Sequence, residues 1–261
     1  AALAELARKY GVIVVLCTAT QPALDGVFAD LKIDLPINEI CPNVPENFET
    51  FRRTKITQHT FDSTESLTAE LTALPQVLCI VNRIADAQKI YQALPKDGAY
   101  CLTTHLCPAH RKARIKEIRE RLKIGLPCRV VSTSLIEAGV DVDFPRVYRE
   151  EAGLDSVLQA AGRCNREGKR PLDESLVTVF TVQNTTPPPY MRQPAAAMKN
   201  ISKRMEDITS LAAIRAYFEF YALGNPPHLR FEPHRVHHHS AQRGKKQNSR
   251  GHRHAHRAGQ R

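Results

Sequence analysis

No apolar run in this 261-residue chain approaches the ~20 residues that cross a bilayer. Its opening Ala1 to Tyr10 has no cationic stretch followed by a long apolar one. Neither a spanning helix nor a secretory leader is predicted, and no membrane partner. The seven cysteines are odd in number and form no C-x-x-C pair. That argues against a disulfide frame or a zinc site and predicts reduced thiols and a cytoplasmic location. A phosphate-cradling G-x-x-x-x-G-K-[ST] is missing; Gly168-Lys169-Arg170 and Gly244-Lys245-Lys246 have neither the glycine loop nor the hydroxyl. There is no Asp-Glu-x-His or Asp-Glu-x-Asp box, and Asp173-Glu174-Ser175-Leu176 does not qualify. His105 and His110 are badly spaced for a helical metal pair and have no carboxylate beside them, so no metal site is predicted.

Acidic residues are scarce at one end only. The formal charge is +10, of which His234 to Arg261 supply +8 through six Arg and two Lys with no Asp or Glu. The rest is nearly balanced, so the high isoelectric point says nothing of a nucleic-acid groove. A tail this rich in Pro, His and Arg from Pro226 onward cannot bury a core.

What is present centres on Gln159-Ala160-Ala161-Gly162-Arg163-Cys164-Asn165-Arg166. It closes a short amphipathic segment that opens near Leu154. Continued as a helix, the segment would place Gln159, Arg163 and Arg166 on one face. Two guanidiniums so close repel unless an anion lies between them, and their planar forks suit phosphate oxygens. Gly162 would let a ligand or backbone approach. The pattern predicts an arginine clamp on a nucleotide triphosphate; a solvated basic helix end is the alternative. Upstream, the β-branched Arg129 to Ser132 reads as a buried strand with Thr133 and Ser134 at its carboxyl end, where open α/β sheets place ligands. Gly139 and Asp141 follow in a loop, the Asp suited to a ribose hydroxyl. A simple helix cap and turn would also explain them.

These two segments resemble the fifth and sixth motifs of superfamily-2 helicases. Cys17-Thr18-Ala19-Thr20-Gln21-Pro22, after the apolar Val12 to Leu16, resembles the third. With Ile80-Val81-Asn82-Arg83-Ile84-Ala85-Asp86-Ala87-Gln88 and the stretch from Leu102 to Arg111, the wording is most similar to the CRISPR-associated helicase of type I interference systems, a helicase–nuclease that degrades invading DNA. The resemblance runs over residues 1 to 185 and implies the carboxyl-terminal piece of a longer protein. Residues 1–24 would end a first RecA-like lobe, 25–48 connect the lobes, and 49–184 form the second lobe. Residues 185–230 would be a linker and helix, and 231–261 a disordered tail.

By the same resemblance ATP sits between the lobes, with magnesium held by the first. Arg166 is the arginine finger, Arg163 a second phosphate-facing cation, and Gln159 positions water or phosphate. Asp141 holds the ribose, with Gly139 and Gly162 allowing close approach. Thr133, Thr104 and His105 contact single-stranded DNA, and Thr18, Ala19 and Thr20 couple the ATP state to lobe closure. Implied partners are the strand, the first lobe and a CRISPR RNA-guided surveillance complex. Without a phosphate loop the chain is not expected to hydrolyse ATP alone. A lobe of another superfamily-2 DNA or RNA helicase, or a non-enzymatic strand-binding module, stays open from the residues.

The periodicity predicts an α/β fold, a mostly parallel sheet covered by helices on both faces. Strands are expected at Val12–Leu16, toward the edge within Thr50–Phe61, and at Gln76–Val81, Tyr100–Leu102, Arg129–Ser132, Pro145–Tyr148 and Leu176–Val182. Helices are expected at Ala85–Leu94, Pro108–Leu122 and Leu154–Ala161, with one more that starts behind an Asp62 capping box and another within Ile201–Tyr221.

Overall fold

The structure, a computed structural model, describes residues 2–16, 38–137 and 139–223. Helix α1 (Ala2–Tyr10) precedes a gap in that description, and α2 (Val44–Thr50) follows it. Then come β1 (Lys55–Phe61), α3 (Thr64–Ala73), β2 (Gln76–Ile80), α4 (Ile84–Ala93), β3 (Ala99–Leu102), α5 (Pro108–Lys123) and β4 (Cys128–Ser132). A 3₁₀ turn, Ser134–Ile136, leads to β5 (Arg146–Glu150), α6 (Leu154–Ala161), β6 (Leu176–Val182), α7 (Pro189–Arg204) and α8 (Leu211–Leu223).

All six strands are parallel, in the order β1-β6-β5-β2-β4-β3. The expected α/β class is the observed one. The sheet is covered on both faces because the strand side chains alternate and both sets are apolar. Val77, Cys79, Val131 and Tyr148 pack with Leu67 and Leu71 of α3 and Ala87 and Ile90 of α4. Leu78, Ile80, Val130 and Val147 face the other way, toward Ile118 of α5 and Ala160 and Ala161 of α6. The crossovers change side between β2 and β5: β2 leads through α4 toward the β3 edge, β5 through α6 to β6 on the other side. Their carboxyl ends therefore bound the crevice where a sheet of this kind offers a site.

Several expectations need correction. Val12–Leu16 is not a strand: it has no ladder partner among the described strands, and Ile13 is 89% exposed. An apolar run acquires strand geometry from its neighbours in a sheet, and among the described residues none pairs with it. The α3 cap is one residue later than expected. Ser63 accepts from the Ser66 backbone N–H and Ser66 accepts from that of Ser63, both at 3.2 Å, while Asp62 takes Gln183 Nε2 at 2.6 Å. The end of the expected inter-lobe connection is helical, and Pro45 marks its start. It sits in the first turn of α2, where no intrahelical N–H is needed.

Likewise Pro189 opens α7 within the stretch expected to begin as a linker. The single helix expected within 201–221 is the end of α7 and most of α8, broken at Met205–Ser210. Ala197, Met198, Ile201, Ile214 and Tyr217 pack on Leu154 and Val157 of α6 and on Val179, so packing continues past residue 184. Thr18, Ala19 and Thr20, and the basic tail, lie outside the described residues. Among the described residues no helix is long and apolar enough to cross a membrane.

Candidate functional site

Helix α6 spans the eight residues Leu154–Ala161, as its pattern predicts, and then stops. Gly162 caps it with an ordinary helical φ of −63°, and a Cβ there would come within 3.3 Å of the Gln159 carbonyl. The chain next turns at Asn165, whose φ is +48°. Arg163 and Arg166 therefore do not extend one helical face. They leave a tight turn in different directions.

Arg163 turns inward. It is 8% exposed, and its Nε and Nη2 donate to the carbonyls of Ile136 and Glu137 at 3.0 and 2.5 Å. Burial, then the charge of Arg166, pulls its guanidinium below the usual arginine range. The expectation of a second phosphate-facing cation is not met in this conformation, because backbone carbonyls hold two of its donor positions. Arg166 turns outward. Its Nε lies 2.6 Å from Asp141 Oδ1, and both side chains are well exposed. Such an exposed pair is worth less than about 1 kcal/mol, so a better anion displaces it easily.

The turn is built by residues that the motif reading passed over. Asn165 is buried; its Nδ2 donates to the carbonyls of Arg53 and Arg170 at 3.0 and 2.8 Å, and its Oδ1 accepts from the Arg170 N–H at 3.0 Å. Asp143 accepts from the Arg166 N–H at 2.8 Å and from Arg170 Nη1 at 3.0 Å. Arg53, just before β1, donates to the Arg166 carbonyl. Cys164 lies against the Pro145 and Leu176 carbonyls, and burial pushes its thiol up to about 12, so it stays protonated and unreactive. The one available signal was Asn165 itself, since Asn tolerates left-handed backbone better than most residues. Asn165→Ala is expected to lower stability by about 2–4 kcal/mol, through orphaned polar groups and a left-handed Ala. Asn165→Gly should recover only the backbone share. Urea unfolding of both variants checks this.

The clamp turn thus lies at the amino ends of β1, β5 and β6. Thr133 lies at the opposite end, after β4, where its N–H donates to the Leu102 carbonyl at 3.2 Å. Thr133 and Asp141, both expected at the ligand, therefore stand at opposite ends of the sheet. The segment between them runs back along the fold, and Arg119 of α5 holds the Asp141 carbonyl at 2.6 Å. Gly139 has φ +70° with open space where a Cβ would project. Thr133 is buried, whereas Ser134, Thr104, His105 and Gln159 are exposed. A hollow of about 540 Å³ adjoins the clamp, walled by Phe51, Arg53, Leu158, Gly162 and Arg166. No cluster of three or more His, Cys, Asp or Glu suited to a metal occurs among the described residues.

The β2–β5 crevice holds a buried polar network. Arg149 Nε stands 2.9 Å from Glu137 Oε1, off the axis of a hydrogen bond, and its Nη1 donates to Asn82 Oδ1 at 2.7 Å. Glu150 accepts from the Asn82 N–H at 2.6 Å. Burial pushes the carboxyl of Glu150 above its ordinary 4.5 despite that bond. The folded state therefore holds this proton more tightly. Its contribution is full below pH 4.5 and is lost as pH rises through the elevated folded value. Glu150→Gln, which keeps the acceptor, should gain stability relative to the unaltered chain as pH rises from 4.5 toward neutral. Paired thermal melts across that range measure it.

Residues 74–169, which span β2 through the clamp turn, match the family model described as the C-terminal domain of the CRISPR-associated nuclease/helicase Cas3. That segment is Cas3-like. The Cas3 nuclease/helicase of Methanothermobacter thermautotrophicus is 32% identical over 108 residues, 40% of this chain and 13% of that protein. That of Haloferax volcanii is 47% identical over 57 residues, 22% of this chain and 6% of that protein. The T. fusca Cas3–AMPPNP crystal structure superposes with a TM-score of 0.52 at 18% identity, covering 74% of this chain and 26% of that one. At that identity the likeness concerns the fold. The chain spans about a quarter or less of each of these Cas3 proteins.

Proposed function

We propose that this chain acts as the second lobe of an ATP-driven single-stranded DNA motor in CRISPR defence. The observation that carries the reading is the exposed Arg166–Asp141 pair, held on a rigid turn beside a hollow of nucleotide size. A phosphate chain that reaches Arg166 replaces one exposed carboxylate and leaves Asp141 free to accept from a ribose hydroxyl. Gly139 keeps the approach open, and Gln159 orients water or phosphate from the last turn of α6. Arg163 contributes to phosphate only by leaving the Ile136 and Glu137 carbonyls. ATP supplies the phosphoryl group whose transfer to water releases the energy for movement. Arg166 stabilises the charge that grows on the transferred group.

At the other end of the sheet, Thr104 and His105 offer exposed donors to strand phosphates, and Thr133 fixes where β4 ends. Residues 1–24 would belong to a first lobe that supplies the phosphate loop and magnesium, joined through 25–48 to the motor lobe at 49–184. Thr18, Ala19 and Thr20 would couple the two lobes, with the described part of the following region, 189–223, packed behind. A cytoplasmic setting and an RNA-guided surveillance complex as partner follow from the same reading. The names of the Cas3 relatives, and the AMPPNP in the T. fusca structure, support it by analogy.

The test combines this chain with a separately produced first lobe, ATP and single-stranded DNA. Turnover stimulated by the strand, and given by neither piece alone, is the expected result. Strand binding with no turnover in any combination would instead leave a non-enzymatic grip module.

A further inference from the structure

Arg149 is the largest fully buried side chain among the described residues, 1% exposed, and its partner Glu137 is 6% exposed. Stability alone does not account for such a pair, because apolar residues of similar volume usually serve as well or better. Its connections suggest another role. Glu137 ends the 3₁₀ turn that opens at Thr133, with the Glu137 N–H on the Ser134 carbonyl at 3.0 Å. From one side Arg163 of the clamp holds the carbonyls of that turn. From the other, Arg149 of β5 holds the Glu137 side chain and, through Nη1, Asn82 beyond β2 and the Glu150 carbonyl. One short turn is thus clasped by both ends of the molecule.

We infer that Arg149 and Glu137 are positioning residues that link the nucleotide end to the strand end of the lobe. The Arg149 side chain is the fixed point, set in the sheet and in the Asn82 loop. Arg163 is the movable clasp, with two alternative sets of acceptors: the Ile136 and Glu137 carbonyls, or phosphate. When Arg163 leaves, the turn pivots about Glu137 and shifts Thr133 and Ser134. When it returns, they are reset. This rests on the motor reading above, and it supplies the discrete two-state element that coupling between distant sites needs.

The test uses the reconstituted pair of lobes with ATP, with and without single-stranded DNA. The double variant Glu137→Leu with Arg149→Met removes both charges together, so that neither is left buried alone. Basal turnover should persist while stimulation by the strand is lost, a coupling of about 5–150-fold in typical cases. Stimulation retained in the folded double variant overturns the inference and leaves the motor reading intact. Basal and stimulated turnover lost together, with the fold intact, also overturns it, because the pair would then serve the clamp alone. If the double variant fails to fold, Arg149→Lys carries the test: reduced stimulation at unchanged basal turnover supports the link, and unchanged stimulation refutes it. No turnover in the unaltered pair removes the motor reading and this inference with it.

Discussion

Replacing Arg166 by Ala should reduce strand-stimulated ATP turnover in the reconstituted lobes by about 10³–10⁵, or roughly 4–7 kcal/mol of barrier. The size follows from where the charge stands. In the structure the Arg166 side chain meets the exposed Asp141 carboxylate through Nε and, at 3.4 Å, the Gly162 carbonyl through Nη1, while its backbone is fixed by Asp143 and Arg53. The side chain is poised and the turn beneath it is held independently of it. Folding should change by less than about 1 kcal/mol, as for other exposed ion pairs. Thermal melts that overlay those of the unaltered chain, together with collapsed turnover, would separate a chemical role from a structural one. Arg166→Lys should restore charge without the planar fork and recover only part of the rate. If turnover in the Ala variant equals that of the unaltered pair, Arg166 is no finger.

Much of the sheet was legible because punctuation and pattern agreed. Pro75 stops α3 directly before the apolar run of β2, and Leu176–Val182 and Leu154–Ala161 carry clean strand and helix signals. The failures that bear on the site share a cause: each depended on something distant in sequence. Val12–Leu16 has strand composition, but a strand exists only through its ladder. Arg163 has the reach and charge for phosphate, yet its direction is set by Asn165 and by two carbonyls from another segment. Arg149 sits among Arg146, Glu150 and Glu151 and reads as one more charge at a strand end. Only the meeting of β5 with the loops after β2 and β4 reveals that it is buried. The motif indicated which residues are chemically able. The fold decided which of them face solvent.

The second large effect is on stability and concerns that buried arginine. Arg149→Met alone should cost about 3–5 kcal/mol, because it leaves Glu137 buried without its cation. Burial already pushes the Glu137 carboxyl above its ordinary range, with the charge of Arg149 the largest influence opposing that rise. Removing the cation should raise it further. A carboxyl raised in the folded state stabilises at low pH, and that contribution is lost as pH rises through the folded value. The deficit of Arg149→Met should therefore be small near pH 4.5 and grow toward neutrality. The Glu137→Leu, Arg149→Met double variant has no such carboxyl. It should recover most of the loss at neutral pH, less whatever the unpartnered Asn82 side-chain oxygen costs, about 1–3 kcal/mol. Denaturant midpoints for the three proteins at two pH values decide the matter. A single variant as stable as the unaltered chain at neutral pH would mean that the 2.9 Å contact carries no charge interaction worth the name.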